Sequence, residues 1–192
     1  ADVVDSRMIA DPLHLLECCM ISDGGGAVVI AAADVARDCA RPPVWILGAG
    51  EATKYPESGA DITVSAAVQS APVAYGEAGV TAQEIDIAMI YDSFTYTVLV
   101  TLENLGFCDP GEGPDFVASQ RTAPGGDFPL NTNGGGLSYT HPGMYGIFTV
   151  VEAARQLRGQ AGDRQLDKCN LALAHGTGGL LSSTGTVVLG AE

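Results

Sequence analysis

Residues 85–95 read IDIAMIYDSFT, an unbroken apolar run from Ile87 to Ile90 that stops at Tyr91 and Asp92 and turns through Ser93. A run without polar alternation reads as a short strand buried on both faces, the pattern of a strand inside an α/β sheet. Tyr91 and Asp92 then fall at its C-terminal end, the edge at which open α/β sheets meet their ligands.

The neighbouring segments fit that frame. Upstream, Thr81 with Glu84 three residues on has the spacing of a capping box. Downstream, Phe94, Val98, Leu102 and Leu105 form a helical stripe that ends at Gly106. The stretch 66–78 predicts a helix closed by Gly79, with Pro72 either kinking it or sitting in its first turn. An RPP turn feeds a strand around Val44–Leu47. Before it, SDGGG at 22–26 opens into AVVIAAA, which predicts a further strand buried on both faces, followed by a helix over 33–39. Residues 1–20 carry an apolar run (Leu13, Leu15, Leu16) without a start methionine or a cap signal, so they read as the tail of a preceding region, leaving 21–192 as the domain.

Between Phe107 and Tyr145 the chain is dense in glycine and proline and shows no periodic segment. A loop of that length inside a compact domain is usually functional or disordered, and NTNGGGLSYTHPG at 131–143 argues for function. A helix with Ile147, Val150, Val151, Ala154 and Leu157 on one face follows, then strands NLALAH and GTVVLG separated by GTGGLLSS. The order βαβαβα, long loop, α, ββ predicts an α/β fold, a mixed sheet covered by helices.

Composition narrows the function. Acidic residues number 23 against 9 basic, a net charge of −14, and no Lys/Arg cluster could neutralise successive phosphates, so no nucleic-acid partner is expected. No apolar run approaches the roughly 20 residues of a membrane span, and the N-terminus lacks a signal-peptide layout, so a cytoplasmic protein is expected. The five cysteines have neither metal-ligand spacing nor the density of a disulfide scaffold, which predicts no metal site and small buried thiols.

Five ordered segments, SDGGGAVVI from Ser22, YDSFT from Tyr91, PGEGPDFV from Pro110, NTNGGGLSYTHPG from Asn131 and AHGTGG from Ala174, resemble the C-terminal half of thiolases. The likeness is to the lipid-transfer-protein (sterol carrier protein) type, which acts on bulky acyl-CoA substrates, and it covers essentially the whole chain. It implies that His141, in THPG, is the oxyanion-hole histidine for the acyl thioester. His175 stands where the last thiolase loop carries its acid/base cysteine, and a neutral-range imidazole there preserves a proton-transfer group. The backbone N–H of Thr177 falls where a glycine contributes to the second oxyanion hole. Tyr91 replaces the family's Asn or His and brings a phenol to the turn. Tyr139 and Tyr145 flank His141, each open to two readings, a second phenol or a filler that narrows the acyl pocket, with Tyr145 preferred; Asn133 and Gly178 are further substrate contacts.

Tyrosine for Asn/His and histidine for cysteine together resemble the lipid-transfer-type thiolases that act as steroid side-chain aldolases. The resemblance implies retro-aldol cleavage of a bulky β-hydroxyacyl-CoA, with coenzyme A entering as the substrate's thioester and no bound cofactor. It also implies an N-terminal half carrying the acylatable cysteine, a homodimer, and a small zinc-ribbon/OB-fold partner protein. Competing readings are an acetyl-CoA acyltransferase acting on β-ketoacyl-CoA, a non-catalytic lipid- or acyl-CoA-binding protein, and an unrelated acidic α/β binding domain. The last is weakened because no Lys or Arg accompanies the glycine-rich loops.

Overall fold

The structure is a computed structural model that describes residues 2–54 and 61–191. Four strands form one sheet: β3 (Trp45–Thr53), β4 (Ile87–Ile90), β5 (Leu171–Gly178) and β6 (Ser183–Gly190). Their order is β3-β6-β5-β4, with β4 parallel to β5 and the other pairs antiparallel. The first residues add a small antiparallel pair, β1 (Met8–Ala10) and β2 (Leu13–His14).

One face of the sheet carries α2 (Ala67–Ala78), α3 (Thr95–Asn104) and α4 (Gly113–Ala118). Ala71, Ala74, Leu102 and Phe116 pack there on Ile90, Leu173 and Val188. The opposite face carries α6 (Gly146–Leu157), whose Ala153 and Leu157 pack on Ile87, Met89, Ala172 and Leu189. The mixed, helix-covered α/β sheet expected from the sequence is therefore present. Glycines in β3 make α2 fit closely: a Cβ on Gly48 would collide with the Ala74 carbonyl and one on Gly50 with the Ser70 carbonyl. Gly79, with φ 68°, caps α2, and Thr81 and Glu84 form the expected capping pair around a short 3-10 turn.

Several expectations fail. The run 27–32 is not a strand: it carries no regular structure and lies outside the sheet, with Val29 94% and Ile30 76% exposed, and only α1 (Ala33–Arg37) follows as expected. A strand buried on both faces needs hydrogen-bonding neighbours and a layer on each side, and no described residue supplies them. The long loop is not featureless, since α4 and the single turn α5 (Gly135–Ser138) lie within it. Helix α6 is also rotated from its apolar stripe. Ile147, Val150, Val151 and Ala154 are half-buried, whereas Glu152 and Gln156 are buried. Arg164 binds Glu152 through Nε and a terminal amino group, both at 3.0 Å, and Gln156 bonds Thr132, the Arg164 carbonyl and the Leu166 amide, so the buried Glu152 charge is paired and the Gln156 amide is satisfied.

The cysteines are free, Cys39 exposed and the others half-buried rather than enclosed, because they sit near element ends and in loops. Burial pushes the Cys108 and Cys169 thiols up to about 11, which leaves them inert at neutral pH. No helix among the described residues is long and apolar enough to cross a membrane.

Candidate active site

Strand β4 ends where the sequence places it and hands the chain to Tyr91. Its outer edge is closed by the loop at 129–131: the Asn131 side chain accepts from the Ile90 amide at 2.7 Å and donates to the Ile90 carbonyl at 2.9 Å. Asp92, next along, is buried and accepts from the Gly136 and Leu137 amides at 2.6 and 3.2 Å. One side chain thus ties the YDSFT turn to the glycine-rich loop. The glycines are obligatory: Gly135 has φ 64° and a Cβ there would overlap the Asp92 carboxylate, while a Cβ on Gly136 would come within 3.0 Å of the His141 ring. Burial raises the Asp92 carboxyl to about 6 against the lowering effect of those amides.

This scaffold sets Tyr91 against His141. The Tyr91 hydroxyl and His141 Nε2 are 2.8 Å apart, with ring centroids separated by 5.3 Å. Burial, with smaller contributions from Cys19 and Asp92, holds the Tyr91 phenol above its ordinary value of 10. Tyr145, fully buried at the start of α6, lies stacked between His141 and Phe148, and its hydroxyl donates to Asn133 Oδ1 at 3.1 Å. Burial raises its phenol strongly as well. Tyr139 is half exposed and packs edge-on against Phe148.

A cavity of about 1020 Å³ opens between the strand ends and the start of α6, lined among others by Tyr91, Phe94, Tyr145, Thr177 and Gly178. His141 meets this space through the Tyr91 hydroxyl rather than as a lining residue. Asn133 belongs to a smaller adjoining cavity of about 350 Å³. Of the three rings that the resemblance puts in the site, Tyr91 lines this cavity, His141 joins it only through the Tyr91 hydroxyl, and His175 does not reach it. His175 pairs with Ile90 and Thr186 across the sheet, so its ring shares their face, the one covered by α2 and α3. It is fully buried, its Nδ1 lies 2.9 Å from Thr186 Oγ1, and its Nε2 has no partner among the described residues. Burial lowers its pKa to about 4. A strand shows successive side chains to opposite faces, so the residues that reach the cavity are the following ones, Gly176 to Gly178.

The sequence places Asp92 at the strand end without indicating its role, and it does not show that residues 18–22 bind across both loops. The Asp92 signal was an acidic residue directly after the strand facing a run of glycines; residues 18–22 carry no such local signal.

The chain matches the thiolase C-terminal domain-like family model over residues 48–191. It is 38% identical to the steroid side-chain-cleaving aldolase of Thermomonospora curvata, covering 100% of this chain and 49% of that protein. It is also 38% identical to an acetyl-CoA acetyltransferase of Methanothermobacter thermautotrophicus, covering 92% of this chain and 47% of that protein. Among solved structures, the Ltp2-ChsH2(DUF35) aldolase superposes with a TM-score of 0.87 at 35% identity, covering 98% of this chain and 50% of that one. The chain thus spans about half the length of the curated relatives it matches. The matched span runs from within β3 to the residue after β6 and contains both strand-end loops of the cavity, so by fold and by sequence the chain belongs to the thiolase C-terminal domain-like family.

Proposed function

We propose that this chain supplies the acid/base half of a thiolase-like enzyme that cleaves a bulky, steroid or lipid, β-hydroxyacyl-CoA by a retro-aldol reaction. The observation that carries the reading is the 2.8 Å Tyr91–His141 bond, with Tyr91 on the wall of a cavity of about 1020 Å³. Cleavage requires removal of the β-hydroxyl proton as the Cα–Cβ bond breaks; the carbonyl product leaves and the bond's electrons become the thioester enolate. A free Tyr91 phenolate is disfavoured because burial raises its pKa, so the base is the pair. Tyr91 takes the substrate proton while passing its own to His141 Nε2. Return of that proton to the enolate carbon completes the cycle. The backbone N–H of Thr177, on the same cavity wall, is suited to stabilise the enolate oxygen. His175 takes no part in proton transfer in this scheme, and Tyr145 and Asn133 hold the His141 ring and the loop around it.

Coenzyme A enters as the substrate's thioester, and no bound cofactor is invoked. The remaining half of a thiolase-length protein completes the pocket, and the assembly is a cytoplasmic homodimer. The Ltp2-ChsH2(DUF35) aldolase supports a partner protein here, which we take to be a small zinc-ribbon/OB-fold protein. The second reading, acyl transfer from a β-ketoacyl-CoA, rests on the acetyl-CoA acetyltransferase relative. Incubating the full-length protein with a branched β-hydroxyacyl-CoA and following a shorter acyl-CoA by mass spectrometry tests the proposal.

A further inference from the structure

The segment 18–22 lies across both loops of the candidate site. Cys18 forms an antiparallel bridge with Phe94, and the Cys19 amide donates to the Ser93 carbonyl at 2.9 Å, which ties it to the Tyr91 turn. The Met20 amide donates to the Gly136 carbonyl at 2.8 Å, and Ile21 forms a parallel bridge with His141, which ties it to the glycine-rich loop. At its end, Ser22 Oγ accepts from the His141 amide at 3.0 Å and lies 2.7 Å from Thr140 Oγ1. Thr140 is buried, and a Cβ on Gly24, two residues after Ser22, would come within 3.2 Å of the Thr140 hydroxyl, so this crossing is tightly packed.

Two ties therefore hold the His141 backbone to the Tyr91 turn. Asp92 reaches Gly136 and Leu137 from one side, and residues 18–22 reach Gly136, Thr140 and His141 from the other. Of these two ties, it is the Ser22 hydroxyl that reaches the His141 backbone amide itself with a side chain. A hydroxyl has one proton and two lone pairs, so Ser22 can accept from the amide and still share a hydrogen bond with Thr140. The Tyr91–His141 bond is short, and proton transfer along it is sensitive to displacements of a fraction of an ångström.

We infer that Ser22 is a positioning residue for His141, setting the Tyr91–His141 geometry on which proton transfer depends. The inference rests on the proposed role of that pair. The test is a double-mutant cycle in the full-length protein with Ser22→Ala, His141→Ala and both together, assayed for cleavage of a β-hydroxyacyl-CoA. Ser22→Ala is expected to lower kcat about tenfold with KM nearly unchanged, and to cost less than about twofold in the His141→Ala background, because a residue acting through His141 has nothing left to act on. Ser22→Thr, which keeps the hydroxyl, should recover most of the loss. Folding is controlled by expressing kcat per folded molecule, judged by thermal melting. Equal losses from Ser22→Ala in both backgrounds, or wild-type kcat in Ser22→Ala while His141→Ala is crippled, overturn the Ser22 role alone. Wild-type kcat in His141→Ala instead overturns the reading of the site, and the Ser22 role with it.

Discussion

The Tyr91 amide donates to the His175 carbonyl at 3.0 Å, yet the two rings leave the sheet on opposite faces. They are neighbours through the backbone and strangers through their side chains. The hydrogen bond aligns the C-terminal ends of β4 and β5, so that Tyr91 and the Gly176–Gly178 backbone face the same cavity, while the His175 imidazole is enclosed against Thr186 beneath α2.

That placement predicts a stability effect with a definite sign. His175 is held neutral in the fold, with its pKa lowered to about 4 from 6.5. Below about 6.5 the unfolded chain takes up a proton that the folded chain refuses, so the stability present above 6.5 is lost progressively as pH falls toward 4. The full loss is of the order of 3 kcal/mol. Asp92, raised to about 6, acts with the opposite sign over part of this range, because the folded state binds its proton first. Urea unfolding of wild type and His175→Asn at pH 7 and pH 5 isolates the histidine: wild type should lose more stability between the two, and parallel losses would show that the imidazole is not the titrating group.

Tyr91→Phe removes the hydroxyl that meets His141 and leaves the ring in place. Cleavage should fall at least about 100-fold while acyl-CoA binding, read by calorimetry, changes little. His141→Ala should cost a similar factor, with the melting temperature nearly unchanged because the ring is only half-buried. His175→Asn, by contrast, should keep its kcat per folded molecule within about threefold. An equal collapse of kcat in His175→Asn would return that residue to the chemistry.

Gly135→Ala probes the scaffold. The added Cβ falls on the Asp92 carboxylate at a backbone φ of 64°, so the turn must open or Asp92 must leave its amides. A loss of about 2 kcal/mol or more is expected, together with a fall in kcat, because the same loop carries His141. Wild-type melting and turnover in this variant would show that the loop has room the structure does not give it.

The sequence made the sheet legible where a segment's surroundings lie within the chain. Ile87 to Ile90 reads as a doubly buried strand because β5, α3 and α6 are present to bury it. Val28 to Ile30 carries the same apolar signal, but no described residue pairs with it or covers it. Helix α6 was legible as a helix and illegible in rotation, because Glu152 and Gln156 turn inward only when Thr132 and Arg164 arrive from other loops. Tyr91 and His141 were legible as residues, but their bond was not, since Asp92, Gly135 and Ser22 bring them together from three separated stretches. His175 was misplaced by a single step of the strand pleat, an error that residue type cannot reveal and pairing register does.

The two chemistries differ in what they demand of the enzyme. Thiolysis of a β-ketoacyl-CoA needs a thiol nucleophile to take the acyl group and an acid/base to protonate the departing enolate. Retro-aldol cleavage needs a base for the β-hydroxyl, stabilisation of the enolate and a proton to return, with no acyl-enzyme and no free coenzyme A. The cavity wall built by this chain offers a phenol backed by an imidazole and the backbone of 176–178, a set that matches the base and the enolate stabilisation of the second reaction. The full-length protein should therefore convert a branched β-hydroxyacyl-CoA to a ketone or aldehyde and a shorter acyl-CoA in the absence of added coenzyme A. A parallel incubation with β-ketoacyl-CoA and free coenzyme A, also followed by mass spectrometry, should show little turnover. Turnover of the β-keto substrate alone would reverse the assignment, making the Tyr91–His141 pair the acid/base of an acyltransferase whose nucleophile lies outside residues 1–192.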